Sequence, residues 1–202
     1  MPLNPLSYNA VFVSEAALKE QSLINDNVDM KMLTPTIKFV QDTFLQRMLG
    51  TGLYVDLQNK IANITGNNVL VNGVYPQLNT NDKFLLDAYI QPMMVWGVMK
   101  EAPIALTYKY MNKGVEKMSS DNAQSAPVAE LEKLADWAYN KFDWYAQRLV
   151  YYLNANTQLY PQYLVVKTLD DIAPSVRGYR TKLYIGNGRE GTGVCDPTFY
   201  YR

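Results

Sequence analysis

Along residues 127–154, PVAELEKLADWAYNKFDWYAQRLVYYLN, the apolar positions Leu131, Leu134, Ala138, Phe142 (or Trp137 across the face), Tyr145 and Leu149 recur at helical steps. A helix of this length spans about 42 Å and carries a single apolar stripe, so it must be covered along its length by other helices. Ser125 is placed to cap it, with Pro127 in the first turn. That requirement points to a mainly α, helix-on-helix domain.

Other segments supply the partners. In 27–49, Leu33, Ile37, Val40, Phe44 and Met48 form one stripe, with Asn27 or Asp29 as cap, and Pro35 argues for a start near Thr34. Gly50 closes this helix, and Thr51 opens a second one through about Ala62, with Leu53, Leu57 and Ile61 on one face. A third begins near Thr80 or Asn81. Phe84, Leu85, Ala88, Met94 (or Val95) and Val98 mark its face, and Pro92 is expected to kink it. The run from Tyr89 to Met99 is apolar on nearly all sides, which places this helix centrally. Leu106, Tyr108 and Tyr110 then alternate with polar residues, and Gly114 supplies a turn, so 105–119 reads as a β-hairpin. From Thr157 the chain is rich in Pro, Gly and Tyr without helical period. The expected division is an α-helical domain over 1–156 and an extended C-terminal arm over 157–202. No internal repeat of fixed period stands out.

Composition narrows the chemistry. The chain has 202 residues, one cysteine (Cys195) and no histidine, which removes Ser-His-Asp and Cys-His catalysis and histidine-ligated zinc. Basic and acidic residues balance at 19 each, unlike a dedicated nucleic-acid binder. No apolar run is long enough for a membrane span, and no secretory leader is expected. Tyrosine is abundant, at 16 residues, and suits surfaces that meet other proteins.

Three constellations invite a chemical reading. Gly186, Gly188 and Gly191 spell G-x-G-x-x-G after the strand-like KLYI, but no helix N-terminus or second strand can follow them, so they are not read as a dinucleotide site. Asp170 and Asp171 are adjacent carboxylates without an evident third ligand. Tyr139, Tyr145, Tyr151 and Tyr152, with Lys141 and Arg148, could stack on bases, yet aromatics at helical spacing more often serve a core or an interface. The arm's Arg177, Arg180, Lys182, Arg189 and Arg202 could meet phosphate or acidic groups of a neighbour. No catalytic, cofactor or metal residues are assigned, and the chain is read as a non-enzyme.

Several stretches resemble the phage head–tail connector (adaptor) proteins, closest to those of crAss-like phages. The pattern falls on Ser14, Leu18 and Lys19, then Asn27, Val28 and Asp29, then Gln41, Asp42, Leu45, Leu49, Gly50, Thr51, Leu53, Tyr54 and Leu57. Asn112 to Val115 looks like the family's hairpin turn, and Tyr160 to Tyr163 like the end of its last helix. The likeness covers most of 14–163 and implies a structural virion protein. Such a protein is made in the host cytoplasm and assembles as a homo-oligomeric ring, usually dodecameric, at the head–tail junction. The ring docks beneath the portal protein, offers a platform to further neck or tail proteins, and lets DNA pass as cargo. On this reading the contact residues are Tyr108, Tyr110, Asn112, Lys113 and Gly114 in the hairpin. In the arm they are Tyr179, Arg180, Leu183, Tyr184, Ile185, Tyr200 and Tyr201. The arm orders by adding a strand to a neighbour. The alternatives are a DNA-binding or packaging accessory protein, another neck or tail-completion protein, and an enzyme using Asp170 and Asp171.

Overall fold

The computed structural model describes residues 10–25, 27–65, 71, 75–111, 114–117, 127–166 and 171–174. The protein is mainly helical. Helix α1 (Glu15–Gln21) starts at Ser14, whose Oγ accepts from the Ala17 N–H at 3.2 Å. Helix α2 (Met30–Val40) is capped by Asp29, so it starts a turn before Pro35 rather than at Thr34. A π-helical turn (Gln41–Leu45) leads into α3 (Gln46–Ile64). Helix α4 (Thr80–Leu85) begins with a reciprocal capping box between Asn79 and Asp82, and a second π turn (Leu86–Ile90) joins it to α5 (Gln91–Thr107). Helix α6 (Val128–Ala155) is the longest, and α5 packs mainly against α6 and α2.

The two π turns reset the faces that the helical period lays out. In each, an N–H bonds five residues back: Gln46 to the carbonyl of Gln41, and Gln91 to that of Leu86. The extra residue rotates everything downstream by about one position. Val40 and Leu45, five apart, are both fully buried, and so are Leu85 and Ile90. Consequently Leu45 and Leu49 take the core positions expected for Phe44 and Met48, which are only partly buried. Phe84 likewise lies outside while Leu85 lies inside. The second π turn sits immediately before Pro92, which has no N–H to give the ladder. Gln41 itself is buried. Its amide donates to the Ala10 carbonyl at 3.0 Å, and its oxygen accepts from the Phe12 N–H at 3.3 Å, fastening the N-terminal segment to the first π turn.

Glycines mark the closest approaches. Gly97 of α5 lies where α2 and α6 converge; a Cβ there would sit 2.6 Å from Val40 Cγ1 and 3.2 Å from the Phe142 ring. Gly50 breaks α3 with φ 71°, ψ 157°, as expected of a glycine between two helices. Across this break lies the chain that comes after α6. The Thr51 N–H donates to the Ile172 carbonyl at 3.0 Å, and the Ile172 N–H donates to Thr51 Oγ1 at 2.8 Å. A Cβ on Gly52 would meet the Gln162 carbonyl oxygen at 2.6 Å.

This packing moves two boundaries. Residues 105–107, expected in a hairpin, are the last helical residues of α5, where Thr107 Oγ1 donates to the Pro103 carbonyl. Beyond them, β1 (Tyr108–Met111) and β2 (Gly114–Lys117) form a short antiparallel pairing, in the register Tyr108 to Lys117 and Tyr110 to Val115. The 105–119 hairpin is thus not present as a unit in the described residues. The division after residue 156 also does not coincide with a break in packing. A 3₁₀ turn (Thr157–Leu159) succeeds α6, and Tyr160 and Tyr163, assigned to the arm, are among the most buried side chains of the domain. Ser125 lies outside the described residues, and Pro127 occupies the N-cap position of α6 with no side-chain cap.

Candidate interaction surface

Of the expected inner stripe of α6, Ala138, Phe142 and Leu149 are buried, Tyr145 is partly buried against the core, and Leu131 and Leu134 are only half-buried; Leu153, outside that stripe, is buried as well. The opposite side carries a second pattern. Residues 136–142, DWAYNKF, are succeeded by 143–149, DWYAQRL. The two heptads share Asp-Trp and then place Asn/Gln, Lys/Arg and Phe/Leu in step, so the chain does hold a repeat of fixed period. The Phe/Leu position enters the core. The Trp and Lys/Arg positions, four apart, face outward one helical turn from each other.

Each heptad builds the same clamp with a residue of the α4–α5 rod. Lys141 Nζ lies 4.9 Å from the ring centre of Trp137 and 5.1 Å from that of Trp96. The Arg148 guanidinium lies 5.8 Å from Trp144 and 4.6 Å from Tyr89. Tyr89 and Trp96 are themselves seven residues apart, and Tyr89 belongs to the second π turn. Two stations therefore repeat along the antiparallel pair, about 10.5 Å apart along α6. The attraction of a cation for an aromatic face is worth about 0.5–2 kcal/mol per contact. Its larger consequence here is positional, since each tryptophan is braced from behind. A third cation, Lys100, lies 4.8 Å from Phe44 and 5.4 Å from Tyr139, deeper between the helices.

The braced rings remain open to solvent. Trp137 is 41% exposed and Trp144 58%, and Tyr151, which no cation holds among the described contacts, is 63% exposed. Beside the second station, Tyr89, Trp144, Arg148, Tyr151 and Tyr152 line a groove of about 400 Å³. Its floor is firm: Tyr89 and Tyr152 stack at 4.2 Å, and the Tyr152 hydroxyl meets that of buried Tyr160 at 3.2 Å. The Tyr160 hydroxyl donates to the Asn81 carbonyl at 2.9 Å. Burial drives the Tyr160 phenol well above its ordinary range, with the Tyr152 hydrogen bond adding to it, and burial raises Tyr163 too. Asp143 is pushed up by burial, partly offset by the hydrogen bond that Gln147 donates to it.

A separate polar cluster fastens α3 to α4. Lys60 Nζ lies 2.7 Å from Asp56 and 2.8 Å from buried Asp82, the partner of Asn79 in the capping box of α4. Desolvation is the largest influence on Lys60 and lowers its pKa. The hydrogen bonds and charges of Asp56 and Asp82 together outweigh it, so the net shift is upward. This is a structural tie: each carboxylate meets the cation, and Asp82 also closes a helix cap.

Of the residues expected to make protein contacts, Tyr108, Tyr110 and Gly114 lie in the β1–β2 pairing. Asn112, Lys113, Tyr179, Arg180, Leu183, Tyr184, Ile185, Tyr200 and Tyr201 lie outside the described residues, as do Gly186, Gly188, Gly191, Asp170 and Cys195. Tyr139, Tyr145 and Tyr152 pack against the core, leaving Tyr151 as the outward member of that group. Trp137 and Trp144 were not among the expected contacts; the Asp-Trp heptad was the signal for them. Among the described residues, no group of three or more His, Cys, Asp or Glu is placed to hold a metal ion, and no helix is long and apolar enough to cross a membrane.

Comparison with known families matches residues 45–171 to the model described as "Family of unknown function (DUF6712)", and the chain belongs to that family. Neither the curated proteins nor the solved structures give a match. The matched span runs from the end of the first π turn to the segment hydrogen-bonded over Gly50 and Thr51.

Proposed function

We propose that this member of the family is a structural subunit of a phage head–tail connector. In this reading, copies assemble into a ring beneath the portal protein, at the head–tail junction of the virion, and DNA passes through as cargo. The observation that carries the reading is the outward face of α6. Trp, Tyr and Arg are the residues that dominate the energetics of protein interfaces, most of all where they are rigid before binding. Here Trp137 and Trp144 are exposed, repeated seven residues apart and held by Lys141 and Arg148, with Tyr151 exposed on the same helix. The likeness of residues 14–163 to connector proteins supplies the class of assembly. The short β1–β2 pairing and the chain beyond residue 174 serve in this reading as further contacts to neighbours, portal or tail proteins.

The test is the mass and shape of the purified full chain, alone and with portal protein, by native mass spectrometry and particle imaging. A closed ring of defined stoichiometry that binds portal is the expected result. A chain that stays monomeric at every concentration, with and without portal, overturns the reading.

A further inference from the structure

Among the exposed large hydrophobic side chains of the described residues, two unlike patches stand out. One is the aromatic and cationic ladder of α6. The other is an aliphatic ledge of Leu164, Val166 and Ile172. The ledge belongs to the two short segments laid against the Gly50–Gly52 junction, where backbone hydrogen bonds and glycine contacts hold the main chain. Its backbone is fixed while its apolar side chains point away from the core, which is how a preformed docking surface is built.

We propose that the ledge of one subunit seats on the ladder of the next, a second copy of this chain, in a head-to-tail contact. This rests on the ring reading above and names its interface. Charge favours this pairing over the ladder meeting itself. The Trp–cation line of the ladder carries Lys141 and Arg148, and an antiparallel copy of it would set these cations against each other. The described residues of the ledge, 162–166 and 171–174, contain no Lys or Arg and one acid, Asp171. Apolar side chains from the ledge fit the concave, ring-lined groove beside Trp144 and Tyr151. Two different patches on one chain generate a heterologous contact, which closes into a ring when the rotation permits.

Two full-length variants test the pairing: Trp144→Glu spoils the ladder and Leu164→Glu spoils the ledge. Circular dichroism and thermal unfolding confirm that each is folded; Tyr151→Glu replaces Trp144→Glu if the latter is not. Each variant alone is expected to be monomeric by native mass spectrometry. Mixed in equal amounts they should form a 1:1 dimer and nothing larger, because one intact ledge meets one intact ladder. Docking is overturned if Leu164→Glu assembles like wild type, or if the mixture stays monomeric. Failure of the ring reading looks different: wild type would form open, unclosed chains while the mixture still gave the dimer. A wild type that never leaves the monomer overturns both.

Discussion

The two faces of α6 use the same residue types for opposite purposes. Inside, Phe142 and Leu149 are covered on all sides and hold the bundle together. Outside, Trp137, Trp144 and Tyr151 are large apolar rings left in water, with Lys141 and Arg148 laid against the two tryptophans. Both faces arise from one heptad, whose last position enters the core and whose second and sixth positions leave it. A residue's hydrophobicity therefore does not say which task it serves; its angle on the helix does.

That contrast can be broken most sharply from the inside. Leu149→Ala removes a fully buried side chain and should cost about 2–5 kcal/mol in denaturant unfolding. A smaller loss, comparable with that of an outer-face variant, would erase the distinction. Lys60→Met compares a carboxylate-paired cation with the ring-held ones. It leaves the buried Asp82 charge without its partner, and about 3 kcal/mol of destabilisation is expected. The same tie predicts alkaline lability. The Lys60 pKa in the folded state lies above its ordinary 10.5, so its stabilising contribution is complete below that pH and fades as pH rises through the raised value. Tyr160 and Tyr163, raised from an ordinary 10.0, act in the same sense, since their buried phenols resist ionising. Unfolding monitored between pH 9 and 12 (a range of about two units above and one below these ordinary values) should show stability falling steadily, and less steeply in Lys60→Met.

Gly97→Ala probes the inner crossing more gently. The added methyl meets Val40 and Phe142, and a net loss of about 1–2 kcal/mol is expected despite alanine's better helix propensity. The smallest effect on stability belongs to the outer face: Trp144→Ala should change unfolding by less than about 1 kcal/mol, while weakening self-association at least tenfold.

Much of this was legible in the residues. Asp29 caps α2, one of the two residues expected to, and the helix start expected near Thr80 or Asn81 is capped by Asn79. Gly50 breaks α3 as read, and the inner stripe of α6 is where periodicity places it. The π turns were not legible, because a step of five residues cannot be told from a lapse in the 3.6-residue pattern. That is why Phe44 and Met48 were expected inside in place of Leu45 and Leu49. Tyr160 and Tyr163 were assigned to an arm because no helical period surrounds them; their burial depends on the docking over Gly50 and Gly52, which is a tertiary fact. The Asp-Trp heptad is plain in the residues, but it overlaps the core stripe of the same helix, whose period alone does not mark an outward face.

The outward face of α6 is proposed to hold neighbouring subunits together. This role is tested most directly by measuring the native mass of wild type and Trp144→Glu side by side at equal concentration. Wild type is expected to be a closed oligomer of single stoichiometry and the variant a folded monomer. Identical masses for the two would contradict it.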